Sequence, residues 1–246
     1  MVTVGVDLAS QAERTGACVI SWSAHQAVVT ELVRRVDDPE LVRLIAGATK
    51  VGIDIPLGWP IPFVEAVTMH SRSGRWPHDY QHSNVRAYRY RQTDLWVQDE
   101  LKGWPLSVST DLIAIPAMRA AAILARLPMH VALDGSDVVV EVYPAGALRR
   151  WGFASQGYKG RKNNEVRRDL VQRFAHVTQD WLRIRDDFLA LCSADDNAFD
   201  ALIAALAARA AWLGLTDPIP LLQREAARRE GWIALPVQDS LHRLCD

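Results

Sequence analysis

Two short stretches of the chain repeat one pattern. Gly5-Val6-Asp7 closes an alternation of Val2, Val4 and Val6 with Thr3 and Gly5, and Gly52-Ile53-Asp54 sits in a second alternation, of Val51, Ile53 and Ile55 with Gly52 and Asp54. Side chains on a strand point alternately to its two faces, so both stretches predict half-buried strands that carry a glycine and an acid on the face opposite the branched residues. Each glycine removes a side chain two positions before its acid, which leaves room on that face for a metal or a substrate backbone to approach. Taken singly, each aspartate reads equally well as the residue that ends a strand and starts a turn.

The rest of the chain organises around these strands. Residues 16–22 and 27–33 are β-rich and flank a polar turn, which predicts a hairpin completing an antiparallel meander with the first strand. Asp38 and Pro39 mark a helix start, and Leu41, Leu44 and Ile45 give the buried stripe of a crossover helix ending near Lys50. From 56 to about 107 the periodicity breaks down under Pro56, Pro60, Pro62, Pro77 and Pro105, which predicts a long ordered insertion of the kind that carries function. An Ala-rich helix is predicted over 116–127, a strand over 137–143 with Glu141 near its end, and a loop that becomes a helix from Asn164. A strong helix is predicted over 195–213, where Phe199, Leu202, Ile203, Leu206 and Ala210 follow helical spacing. Beyond Asp217 helix and strand signals mix, and no element is assigned. The expectation is one α/β domain spanning 1–246, with its insertion at about 56–107 and an ample core from the 49% of residues that are apolar.

The net charge of -1 gives no chain-wide field toward nucleic acid or an anionic membrane, so any polyanion site must be local. Three cysteines, Cys18, Cys192 and Cys245, are an odd number without ligand spacing, which argues against a disulfide framework and a zinc knuckle. No apolar stretch approaches the roughly 20 residues of a membrane span, and the first residues enter a strand at once. The expectations are no membrane partner and a cytoplasmic location.

A third acid, Glu141, follows Val138 and Val140 in the same strand phase, so three acids fall at strand ends, where ligands bind in parallel and mixed α/β sheets. Carboxylates gathered there raise one another's pKa unless a cation neutralises them, and the oxygen-seeking ions Mg2+ or Mn2+ are the natural partners. On the late helix Asp196 and Asp200 stack four residues apart. Ser193 and Asp196 resemble a capping arrangement, whereas Asp200 lies beyond the first turn and capping does not explain it.

The motifs Gly5-Val6-Asp7-Leu8-Ala9, Gly52-Ile53-Asp54-Ile55-Pro56-Leu57-Gly58, Glu141-Val142-Tyr143-Pro144 and Asp200-Ala201-Leu202-Ile203-Ala204-Ala205 together resemble a domain-of-unknown-function family of predicted nucleases with a ribonuclease H-like fold. The resemblance runs to about Leu213. It implies a central mixed sheet with three antiparallel N-terminal strands, flanked by helices. It also implies a metal-dependent nuclease that hydrolyses phosphodiester bonds of nucleic acid with two metal ions. Asp7, Asp54, Glu141 and Asp200 are then the catalytic acids, with Asp7 bridging the ions, Glu141 a ligand or a water-orienting base, and Asp196 a further candidate ligand. An actin-like phosphotransferase is the rival enzyme reading, against which residues 9–15 lack a Gly-rich phosphate cradle. A non-catalytic nucleic-acid-binding or scaffold domain is the other rival.

Two basic stretches are candidate substrate contacts. In residues 86–94 arginines and tyrosines interleave, as phosphate-holding and base-stacking segments do. The family resemblance extends to Arg91-x-Thr93-Asp94, which makes Arg89, Arg91, Thr93 and Asp94 candidates; a surface arm whose arginines pair with Asp79, Asp94 and Asp99 is the competing explanation. Tyr158 heads the second stretch, where Lys159, Arg161, Lys162, Arg167, Arg168 and Arg173 face only Glu165 and Asp169 in sequence. Tyr158, Lys159, Arg161 and Lys162 are its candidate contacts, and a solvated charged face is the competing explanation. His70, His78 and His82 lie in the insertion without a local Cys partner, so zinc is disfavoured there.

Overall fold

The computed structural model describes residues 1–78, 80, 84–103 and 105–246, and at Arg161 the backbone without the side chain. Strands β1 (Val2–Asp7), β2 (Gly16–Ser23) and β3 (Gln26–Arg34) form the antiparallel meander, and helix α1 (Asp38–Ala46) crosses to β4 (Lys50–Ile53), which lies parallel to β1 on its other side. The helices α2 (Ile61–Ser73), α3 (Val85–Arg89), α4 (Gln92–Leu101) and α5 (Ala114–Leu124) precede β5 (Val139–Glu141), which runs parallel to β4. Helices α6 (Pro144–Arg150) and α7 (Asn164–Thr178) lead to the short β6 (Leu182–Arg183) beside β3. Helices α8 (Asp186–Ala194), α9 (Asp196–Trp212) and α10 (Arg224–Glu230) follow, and the strand order is β5-β4-β1-β2-β3-β6. The chain is thus a mixed α/β protein whose first three strands are antiparallel.

Helices cover both faces, so β1 and β4 are buried on the glycine face as well and are not the half-buried strands that the alternation predicts. Val4, Val6, Val51 and Ile53 pack with Leu41, Leu44 and Ile45 of α1 and Ala117, Ala120 and Ile123 of α5. On the other face Cys18, Ile20 and Val140 pack under α9, backed by Phe174 of α7 and Leu148 of α6. The helix predicted over 195–213 is α9, and every residue of it from Ala198 to Arg209 is buried, which makes it the central helix of the fold.

The strand glycines exist for that helix. A methyl group at Gly5 would overlap the backbone of Ala201, Ala204 and Ala205, one at Gly52 the carbonyl oxygen of Ala204, and one at Gly16 the carbonyl oxygen of Asn197. The space expected there for a metal or a substrate is filled by helix backbone, and α9 owes its alanines to the same close approach. Gly5→Ala is therefore expected to lower stability by at least about 1–3 kcal/mol, read by urea unfolding. The obstruction is main chain, so adding Ala205→Gly should not restore the loss; restoration would refute the packing argument.

Other departures have local causes. Asp37, not Asp38, caps α1, its side chain accepting from Glu40 N at 2.9 Å, and the helix ends early because Lys50 already lies in β4. The insertion is largely helical: Pro62 lies in the first turn of α2, where a missing N–H leaves no bond unmade. Pro144 likewise opens α6, so β5 is shorter than the predicted strand. At α9 the cap is Asp195, accepting from Asn197 N and Ala198 N, whereas Ser193 Oγ donates to its own helix at Leu189 O. Among the described residues no helix is long and apolar enough to cross a membrane.

Candidate functional site: an acidic cleft

The in-register pairing of Gly5 with Gly52 and Val6 with Ile53 sets Asp7 and Asp54 side by side at the ends of parallel strands, and Asp54 N donates to Val6 O at 2.9 Å. Both acids share the face of the two glycines, against which α9 lies at backbone distance. That approach carries Asp200, one turn before Ala204, to the same point. One oxygen from each of Asp7, Asp54 and Asp200 lies within 4.8 Å of the others, the one such group of metal-capable side chains among the described residues. Burial first, then the charges of Asp200 and Asp54, hold Asp7 well above the usual carboxylate range. Asp54 is pushed up to about 7, chiefly by burial, with Lys159 pulling it down and Asp200 and Glu141 pushing it up.

Lys159 is the cation in this cluster. Its Nζ lies 2.6 Å from Asp200 Oδ2, while the hydroxyl of Tyr158 donates to Asp200 Oδ1 at 2.7 Å. Burial opposes the charge on Lys159, but Asp200, Asp54 and Asp7 outweigh it and raise its pKa above the ordinary lysine value. The basic stretch expected as a polyanion patch is thus split. Arg167 is buried and spends its guanidinium on the carbonyls of Tyr158, Gly160, Ser193 and Ala194 and on Asn164 Oδ1, bracing the 158–160 loop against the start of α9. Lys162, Arg168 and Arg173 stay exposed, and the side chain of Arg161 lies outside the described residues. Asp196, proposed as a ligand, lies outside the trio, and its Oδ2 accepts from Gly160 N at 2.9 Å.

Glu141 stands beside the trio without joining it. Both its oxygens accept from Arg91, at 2.7 Å each, and Oε2 also accepts from Leu57 N at 3.0 Å. Arg91 is 1% exposed and binds Asp94 with its remaining donors, including a bond of 2.8 Å to Oδ1. Arg91, Thr93 and Asp94, expected as substrate contacts, are engaged within the protein, although Arg91 and Asp94 also line the cleft. Arg91 has no donor to offer a substrate, Asp94 is committed to Arg91, and Thr93 Oγ1, fully buried, accepts from Ile233 N. The three form a brace under the site. Arg89 remains at the surface, 3.5 Å from Asp111. Asp79 and His82 lie outside the described residues.

Asp7, Asp54 and Glu141 line a cleft of about 500 Å³ whose walls include Pro56, Pro105, Leu106, Ile113 and Pro116, with Gln156 to Lys159 at one side. Sequence reasoning missed the C-terminal contribution. Glu230 accepts from Ile61 N and Gln92 N, its carbonyl accepts from Arg91 Nη1, and Ala234 N donates to Glu141 O. No periodicity in that tail marks these bonds; the burial of Glu230, an acid that then requires partners, shows only in the folded chain.

A mixed six-stranded sheet, helices on both faces and three aspartates converging at strand ends define an α/β protein with an acidic cleft, compatible with a ribonuclease H-like architecture. The chain belongs to the family described as protein of unknown function (DUF429), which matches residues 5–223. No curated protein matches it.

Proposed function

We propose that the chain is a metal-dependent phosphodiester hydrolase acting on nucleic acid. The convergence of Asp7, Asp54 and Asp200 from three distant segments supports this reading above all. The donor set fits the group: three carboxylate oxygens within 4.8 Å suit a hard, oxygen-seeking ion, and among the described residues no softer ligand joins them. Asp7, Asp54 and Asp200 would hold Mg2+ or Mn2+, which when bound supplies an activated water and neutralises charge on the phosphoryl group. Tyr158 and Lys159 fix the orientation of Asp200. Lys159, half exposed at the cleft, presents positive charge to an incoming phosphate. The apolar wall that includes Pro56, Leu106, Ile113 and Pro116 offers a surface for a base, and a cleft of about 500 Å³ suits a single-stranded segment or end better than a duplex.

The test titrates Mg2+ and Mn2+ against labelled single-stranded, duplex and branched nucleic acids, comparing wild type with Asp54→Asn. Ion-dependent cleavage by wild type is expected, lowered roughly 100-fold or more by the substitution, the scale of losing a charge-stabilising group. Cleavage indifferent to the substitution marks a contaminant, and no cleavage with any substrate favours the binding-domain reading.

A further inference from the structure

We infer that Lys159 is a built-in cation of the acidic centre, taking the place of one metal ion, so that the site holds one divalent ion and not the pair that the resemblance implies. The inference rests on the metal-dependent reading above. Its first support is that Lys159 is placed, not merely nearby. Arg167 Nη1 binds the carbonyls of Tyr158 and Gly160 on either side of it, Gly160 N is held by Asp196, and the carbonyl of Lys159 itself accepts from Asn163 Nδ2 at 2.7 Å. Gly160 has φ +85°, a conformation that L side chains rarely adopt, so the loop geometry depends on it. An ordinary surface lysine has no such scaffold.

The second support is what Asp200 has left to give. Its two oxygens already receive Tyr158 and Lys159, so its capacity to serve two ions at once is reduced on both sides. The third is charge. Three carboxylates and one ammonium leave two negative charges, the amount one divalent ion cancels; a second ion would make the centre as positive as it was negative. The neighbouring Arg91, Asp94 and Glu141 satisfy one another and add one negative charge, so that one ion leaves the wider centre with one negative charge and a second ion would leave it positive. Finally, the span fits: oxygens opposite each other on one six-coordinate ion lie roughly 4–4.8 Å apart, and the trio falls within 4.8 Å.

The experiment counts Mn2+ bound to the full chain by calorimetry and by electron paramagnetic resonance, with no substrate present. Wild type is expected to bind one ion. Lys159→Met should admit a second ion or bind the first about tenfold more tightly, equal to about 1.4 kcal/mol, and Lys159→Arg should keep one. Two ions in wild type, or a Lys159→Met titration unchanged in number and affinity, overturns the inference and leaves the hydrolase reading standing. No ion bound by wild type overturns both. The wild-type stoichiometry decides the matter even if Lys159→Met fails to fold.

Discussion

Arg91→Met is expected to lower the unfolding free energy by about 3–5 kcal/mol, the usual cost of removing one partner from a buried ion group. Arg91 is the shared cation of Asp94 and Glu141, and all three side chains are buried. Burial already raises the pKa of Glu141, with Arg91 acting as the main opposing influence. Without Arg91 that pKa climbs further above its unfolded value. A group raised in this way contributes stability below its unfolded pKa and loses it as pH rises through the folded value, so the deficit of the variant should be smaller at pH 5 than at pH 8. Urea unfolding at both pH values measures this. A deficit independent of pH would mean that Arg91 contributes packing and not charge. Arg91→Lys should rescue little, because an ammonium cannot serve two carboxylates with paired, planar bonds.

Asp54→Asn is expected to act in opposite directions on two properties. It should abolish tight Mn2+ binding, and it should stabilise the metal-free protein at pH 8 by roughly 2 kcal/mol or more, since each pKa unit corresponds to about 1.4 kcal/mol. Asp54 is held up to about 7, against 3.8 ordinarily. The folded wild type therefore binds a proton that the unfolded chain has released between those values, and its metal-free stability should fall as pH rises from about 4 to 7. Metal binding needs the carboxylate, so Mn2+ affinity should climb over the same interval. Melting temperatures in chelator across pH, for both proteins, give the comparison. Equal slopes in wild type and Asp54→Asn would remove Asp54 as the titrating group.

Strand phase showed which face Asp7 and Asp54 occupy, and the failure of capping to explain Asp200 singled it out from its neighbours on the same helix. Those are local properties, and local patterns carry them. The brace was not legible for the opposite reason: Arg91 meets Glu141 across 50 positions and the Glu230 carbonyl across 139, and nothing in an Arg-Tyr alternation reveals that one arginine has turned inward. The glycines were read for the right property, a missing side chain, and assigned the wrong beneficiary. A sequence shows that space exists beside Gly5 and Gly52, but only the packed helix shows what fills it. Lys159 and Arg167 teach the same lesson within one basic run, where the first is drawn to the acids and the second is used up on carbonyls.

The contribution of residues 230–234 has a temporal meaning. They emerge from the ribosome after every other segment that touches the acids, and they supply the carbonyl that receives Arg91, the amide that binds Thr93 and the amide that binds the Glu141 backbone. A chain cut before them would keep the segments that bear the three aspartates and would keep Asp94 and Glu141 as partners of Arg91, but it would lose the Glu230 carbonyl that takes the last of the guanidinium donors.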